Sequence, residues 1–102
     1  MEKIGKVKLD DTYYSGKDLY SDGEIEEELL TIAQKHTEEE LNQVIARENS
    51  WPVMYHFSNI RQNIIDWLPI TKEEKVLEVG AGCGAITGAL ARKAGEVDCI
   101  EL

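Results

Sequence analysis

The stretch VLEVGAGCGAITGALARKAGEVDCIEL, residues 76–102, decides the fold, because it carries the signals of a strand, a glycine turn, a helix and a second strand. Residues 76–79 form a short apolar run interrupted only by Glu78, which is typical of a strand buried on both faces of a parallel sheet. Helix-forming residues follow over 85–94, and 97–102 has the pattern of another strand. The sequence therefore predicts a β-α-β unit with two adjacent parallel strands.

Three glycines, Gly80, Gly82 and Gly84, stand between the first strand and the helix, and Gly95 provides a stop signal after it. Glycines in such a turn adopt backbone angles, and allow a close approach of ligand, that a Cβ would block. Glu101 falls at the carboxyl end of the second strand, beside this turn. A carboxylate there can accept hydrogen bonds from both hydroxyls of a ribose. The arrangement predicts a site for a nucleoside-containing cofactor.

The glycine pattern by itself fits two cofactors. Gly80, Gly82 and Ala85 satisfy the G-x-G-x-x-G/A fingerprint of dinucleotide-binding folds, with Glu101 at about the expected 20 residues further on. A carboxylate such as Glu78, two residues before the first glycine, has little use beside a pyrophosphate, whereas it attracts the cationic groups of a methionine-bearing cofactor. The glycine motif alone does not decide between the two, and an NAD-binding oxidoreductase fragment stays open as the alternative.

The segment VLEVGAGCGAIT, residues 76–87, resembles motif I of the class I S-adenosylmethionine-dependent methyltransferases, an acidic residue followed by G-x-G-x-G. The resemblance implies a Rossmann-like fold in which the glycine turn lines the methionine end of the cofactor and Glu78 helps to position that end. It also implies that Glu101 binds the ribose and that Leu102 packs on the adenine. The predicted cofactor-binding residues are Glu78, Gly80, Ala81, Gly82, Cys83, Gly84, Glu101 and Leu102.

Two narrower resemblances concern the methyl acceptor. The glycine motif is similar to that of the ribosomal RNA adenine dimethyltransferases, although that subgroup usually has a proline at the position of Ala81. The N-terminal half is similar to methyltransferases found with bacterial surface-polysaccharide enzymes. A net charge of −9 and a pI near 4.6 lack the basic footprint that phosphate contacts require. We expect a small molecule or a saccharide as the acceptor and nucleic acid as an unlikely partner; RNA and protein side chains stay open.

Family resemblance implies about seven strands for the whole methyltransferase domain, of which the sequence predicts only the first two. The predicted fold class is thus α/β, with an N-terminal helical segment followed by the first β-α-β unit of a truncated Rossmann-like fold. The predicted domains are an acidic arm with helices over 1–50 and the start of the cofactor-binding domain over 51–102. Catalytic residues would come from later strands, so none is assigned, and we expect these residues alone to be inactive.

An unpaired edge on a short hydrophobic sheet is a template for self-association. We therefore expect a homo-oligomer, and a non-catalytic self-associating module is a second alternative function. The sequence has no metal-ligand spacing, and its two cysteines are expected to be reduced thiols, Cys83 in the cofactor loop and Cys99 in a buried strand. No apolar run is long enough to span a membrane and no signal sequence opens the chain, so we expect a cytoplasmic protein without membrane contact.

The first half carries most of the negative charge, with 13 acidic and 6 basic residues over 1–50. Helical periodicity predicts a helix from Glu24 to Lys35, and Thr37 with Glu40 predicts a capping box for a second helix through about Arg47. Residues 1–23 are predicted to form an edge hairpin or an extended arm, with a short strand over 4–9 and a turn at Asp22-Gly23.

Apolar residues recur at helical spacing between Ser50 and Pro69, and Pro52 suits a first helical turn. Two arrangements are compatible with this stretch: one continuous helix, or a break at which Ser58 caps a second helix. The break would leave Tyr55, His56 and Phe57 in a bend close to the cofactor edge. Phe57 is expected to belong to the core rather than to the cofactor site. His56 is expected to be a polar helix-surface or capping residue rather than a general base.

Overall fold

The computed structural model describes residues 1–17 and 23–102, which form a small mixed α/β protein. The helices and strands of these ranges, in chain order, are β1 (Glu2–Ile4), β2 (Val7–Leu9), α1 (Glu24–Lys35), α2 (Leu41–Glu48), α3 (Trp51–Phe57), α4 (Asn63–Asp66), β3 (Lys75–Val79), α5 (Thr87–Lys93) and β4 (Glu96–Ile100). Short 3-10 turns at Glu38–Glu40 and Asn59–Gln62 precede α2 and α4.

The C-terminal part contains the predicted β-α-β unit. Strands β3 and β4 pair in parallel, in a register that runs from Lys75 opposite Glu96 to Val79 opposite Ile100, and α5 connects them. Helix α5 begins at Thr87, two residues later than predicted, because turns extend to residue 86 after the glycines. The prediction of adjacent parallel strands is confirmed.

One face of this sheet is covered. Ile65 from α4 and Leu90 from α5 are buried in a cluster against which Val76 and Val97 pack from the strands. The other face is open: Leu77 and Val79 are 59% and 75% exposed. The prediction that the first strand is buried on both faces is therefore wrong. Side chains of a strand alternate between the two faces of the sheet, and the helices of this cluster cover one face. The side chains on the other face therefore remain exposed.

The side chain of Lys93 connects the two helices of this part. Lys93, in the last turn of α5, donates from Nζ to the carbonyl oxygens of Ile65 at 3.1 Å and Asp66 at 2.8 Å, and also to that of Leu68. These carbonyls lie at the carboxyl end of α4 and just beyond it, where the lysine adds to the backbone hydrogen bonds that the amides of Leu68 and Ile70 make. Lys93 thus holds α4 against α5 and, with it, the residues that lead into β3.

The first three α-helices surround a separate core. Leu29, Ile32, Val44 and Val53 are buried together, and Phe57 packs against them, as expected for a core residue. Helix α1 has the predicted bounds, Glu24–Lys35. The cluster combines residues from both sides of position 50, and the division into 1–50 and 51–102 stays a prediction.

The predicted capping box at Thr37 is wrong. The side chain of Thr37 makes no capping hydrogen bond, and a 3-10 turn precedes α2. Glu40, which would complete the box, instead places Oε2 3.1 Å from Nδ1 of His36, four residues earlier. The carboxylate that would reach back to the backbone of Thr37 is therefore engaged by the imidazole.

The stretch between α3 and α4 adopts the broken arrangement. Helix α3 ends at Phe57, and Oγ of Ser58 accepts a hydrogen bond of 3.2 Å from the amide of Ile60. Nδ1 of His56 lies 2.8 Å from the carbonyl oxygen of Pro52, so the imidazole bonds to its own helix. Of the two arrangements that the sequence left open, the break capped by Ser58 is confirmed.

The N-terminal residues form an antiparallel hairpin with Glu2 opposite Leu9 and Ile4 opposite Val7. The predicted hairpin is confirmed, but a single strand over 4–9 is wrong, because Gly5 has φ 61° and starts a turn there. The predicted turn at Asp22 lies outside the described residues. No helix within 1–17 and 23–102 has the length and apolar character needed to cross a membrane.

Candidate cofactor site

The turn after β3 depends on its glycines. Gly80, Gly82 and Gly84 have φ angles of 74°, 56° and 80°, a region that side chains with a Cβ rarely adopt. No atom of the described residues lies within 4 Å of the position that a Cβ would take on Gly80 or Gly82, so the space above the turn is open. The amide of Gly84 closes the turn with a 2.9 Å hydrogen bond to the carbonyl of Ala81.

Glu101 lies directly across this turn. The amide of Gly80 donates to the carbonyl of Ile100 at 2.8 Å, which continues the parallel ladder and brings the next residue of β4 beside the glycines. Oε2 of Glu101 then accepts from the amide of Gly82 at 2.5 Å, and Oε1 accepts from the amide of Leu102 at 3.0 Å. The predicted meeting of Glu101 with the glycine turn is confirmed.

These two amides favour the ionised form of Glu101. The hydrogen bond from Leu102, followed by that from Gly82, holds the pKa of the Glu101 carboxyl below its ordinary value. A carboxylate offers about four lone-pair sites, so two acceptor positions remain for other donors. The side chain is fully exposed, and an incoming diol reaches it without any rearrangement of the core.

Glu78 occupies the other side of the turn. Its Oε2 accepts a 2.6 Å hydrogen bond from Oγ1 of Thr87, the first residue of α5, and Sγ of Cys99 approaches the same oxygen at 3.4 Å. None of the described residues donates to Oε1. The half-buried carboxylate is thus held in place through one oxygen and presents the other for a cation or a donor.

The remaining predicted residues also lie around the turn. Ala81 is half-buried, and Leu102 follows Glu101 with 87% of its surface exposed. Cys83 and Cys99 are exposed thiols, so the predicted burial of Cys99 is wrong. Cys99 lies near the carboxyl end of β4, and the residues around it leave its side chain exposed. Within the described part of the chain, no group of three or more His, Cys, Asp or Glu residues is arranged to hold a metal ion.

An open groove of about 340 Å³ extends from the turn. Cys83 and Gly84 line it from the loop, and His56, Phe57 and Arg61 line it from α3 and the 3-10 turn that follows. The broken arrangement predicts His56 and Phe57 close to the cofactor edge, as observed, whereas the sequence analysis gives no role to Arg61. The signal was present in the capping role of Ser58, which turns the chain so that Arg61 faces the loop. A groove of similar size beside α1 and α2 contains none of the predicted site residues.

Cys99 gives a direct readout of the charge on Glu78. Partial desolvation of the sulfur raises the pKa of the Cys99 thiol, and the hydrogen bond to Glu78 and its negative charge raise it further. Less thiolate is therefore present at pH 8 than for an ordinary cysteine. We expect Glu78→Gln to increase the rate of alkylation of Cys99 by iodoacetamide at pH 8 at least about twofold, because the thiolate is the reacting form.

The rate is followed by mass spectrometry of the peptide that contains Cys99, which separates it from Cys83. The exposed Glu73→Gln variant, changed in the loop before β3, serves as the control and should react like the unchanged chain. The difference should vanish at a pH high enough to ionise the thiol in both proteins. An unchanged rate in Glu78→Gln at pH 8 would contradict the contact between these side chains.

A segment of this chain is similar to known proteins. Over 45 residues, or 44% of the chain, the sequence is 49% identical to proteins named Ribosomal RNA small subunit methyltransferase A from two strains of Listeria monocytogenes and from Listeria innocua. The match spans only 15% of the length of these relatives. No protein-family profile and no solved structure matches the chain. The similarity supports a relationship to methyltransferases.

Proposed function

We propose that this chain is the S-adenosylmethionine-binding part of a methyltransferase. The observation that carries the proposal is the hydrogen bond between the amide of Gly82 and the carboxylate of Glu101, which joins the glycine turn to the acidic end of the next strand. A ribose diol and the methionine end of one nucleoside cofactor would occupy these two places together. The similarity to methyltransferases supports the same cofactor class.

The residues of the turn fit this cofactor. Glu101 keeps two acceptor positions for the ribose hydroxyls, and the open space above Gly80 and Gly82 admits the ligand against bare backbone. Oε1 of Glu78 is available for a cationic group. When bound, S-adenosylmethionine supplies an electrophilic methyl group on a sulfonium. The role of these side chains is to bind and orient it, so that an acceptor can approach in line.

The charge beside α5 disfavours the dinucleotide alternative. A pyrophosphate would bind at the amino end of the helix that follows the glycines. That end is at Thr87, and the hydroxyl of Thr87 donates to the carboxylate of Glu78. A negative side chain therefore already occupies the position that a phosphate needs, and repulsion between the two anions opposes NAD.

The acceptor and the assembly state are also proposals. The net charge of −9 disfavours a polyanionic acceptor, so we propose a small molecule or a saccharide. Self-association through the sheet stays a prediction; the exposed apolar side chains of Leu77, Val79 and Ile100 support it.

The cofactor proposal is tested by isothermal titration of the 102-residue chain with S-adenosylhomocysteine, S-adenosylmethionine and NAD in parallel. We expect the first two ligands to bind and NAD not to bind. Light scattering on the same samples reports the assembly state separately from the binding result. Binding of NAD alone would reverse the choice of cofactor, and absence of binding by all three would contradict a site formed by these residues.

A further inference from the structure

The groove beside the glycine turn contains a cation that the proposed function has not used. Arg61 lines the groove together with Cys83 and Gly84, and its side chain is half-buried. Its Nη1 donates a 2.6 Å hydrogen bond to the carbonyl of Ser58, which fixes one corner of the guanidinium. Among the described residues, no carboxylate lies within 4.0 Å of Arg61 to form an ion pair. Four of its five N–H donors remain available.

The surroundings of Arg61 contain charges of both signs. Burial lowers the pKa of the Arg61 guanidinium, the charge of Arg92 lowers it further, and the charge of Glu38 opposes both. Arg92 extends back along α5, with Nη1 3.9 Å from the position that a Cβ on Gly88 would take. Glu26 lines the same groove from α1. A half-buried guanidinium that uses only one of its donors within the described residues is still a favourable place for an anion with two oxygens.

We infer that Arg61 binds the α-carboxylate of the methionine part of the cofactor. The inference rests on the proposed function and adds a specific residue to it. With the ribose on Glu101, the thioether chain of the ligand runs along the turn toward Cys83 and Gly84, where the groove begins. Glu78 then attracts the ammonium and Arg61 the carboxylate. The chain thereby offers an opposite charge to each end of a zwitterionic amino acid group.

A pair of ligands separates this role from a structural one. S-adenosylhomocysteine carries the amino acid group, whereas 5′-methylthioadenosine keeps the adenosine and the thioether but has no carboxylate. We expect Arg61→Gln to weaken binding of S-adenosylhomocysteine at least about tenfold and to leave binding of 5′-methylthioadenosine unchanged. Arg61→Lys, which keeps the charge but loses the planar fork, should lie between the two proteins. Both affinities are measured by titration calorimetry, with thermal melts to verify folding.

The matched control is Arg47→Gln, because Arg47 is an exposed arginine of α2 whose Nε lies 3.8 Å from Glu48. It should bind both ligands like the unchanged chain. Equal weakening of both ligands in Arg61→Gln would overturn the inference, because the arginine would then support the fold of the site. Unchanged binding of S-adenosylhomocysteine would also overturn it. If the unchanged chain binds neither ligand, the proposed function fails, and this assignment fails with it.

Discussion

Gly95→Ala is expected to destabilise the protein by roughly 3 kcal/mol or more, the upper range of overpacking costs. A Cβ on Gly95 would lie 2.1 Å from the carbonyl oxygen of Lys72 and 3.1 Å from its carbonyl carbon. These are backbone atoms, which cannot turn away as the end of a flexible side chain does. The amide of Gly95 also donates to the carbonyl of Glu74 at 3.0 Å, so any shift that relieves the clash strains this hydrogen bond.

Gly88→Ala provides the matched control, since Gly88 lies in α5 and an added Cβ would meet only Nη1 of Arg92, at 3.9 Å. Alanine in a helix interior is favoured over glycine by roughly 0.5–1 kcal/mol, so this variant should be slightly more stable. Both changes reduce the entropy of the unfolded chain alike, and their difference therefore isolates the clash. The free energies of unfolding are measured by urea titration. A Gly95→Ala protein as stable as Gly88→Ala would contradict the packing of Gly95 against the backbone of residues 72–74.

Glu101→Gln is expected to weaken binding of S-adenosylhomocysteine by roughly 30-fold, because hydrogen bonds to a charged acceptor are worth more than those to a neutral amide. Glutamine keeps the size of the side chain, and its single oxygen can still accept from the amide of Gly82. What it loses is the charge and the acceptor positions that the ribose diol would use. The affinity is measured by calorimetry at pH 7.

The control is Glu96→Gln, another exposed glutamate of the same strand segment. Glu96 pairs with Lys75 at 2.8 Å at the opposite end of the sheet, so its loss should leave the affinity unchanged. The pH profile gives a second check. Because the amides of Leu102 and Gly82 lower the pKa of Glu101, the carboxylate is protonated at a lower pH than an ordinary glutamate. The midpoint of the loss of affinity with falling pH should be shifted in the same direction, and equal affinity in Glu101→Gln would remove Glu101 from the site.

Several local features could be predicted from the sequence because they depend on residues close together in the chain. The apolar spacing over 24–35 specifies α1 with its observed bounds, and the alternation of strand, glycines and helix specifies the β-α-β unit. Glu101 could be placed beside the glycine turn because a parallel crossover brings the carboxyl ends of both strands to one edge. The capping box at Thr37 could not be decided from the sequence. The carboxylate of Glu40 can reach either the backbone of Thr37 or the imidazole of His36, and the motif does not specify which.

Other features depend on how distant segments pack, and only the tertiary structure decided them. Gly95 resembles a helix stop in the sequence, but α5 ends at Lys93, Ala94 is already extended, and the backbone of Lys72 leaves no room for a Cβ at position 95. Arg61 reaches the groove because Ser58 turns the chain between α3 and α4. The outer face of the sheet is exposed because the helices pack on one side of it.

The sequence by itself thus determined the order of the local elements and the edge at which the candidate site residues meet. Hydrogen bonding and apolar spacing within a few residues are sufficient for the local elements, and the parallel crossover between the two strands is sufficient for the edge. The tertiary structure decided which side chains enter the groove, which backbone atoms touch at Gly95 and which apolar residues remain exposed. These outcomes depend on close packing between segments that are 20 or more residues apart, such as Lys72 and Gly95, where a single methyl group changes which arrangement fits.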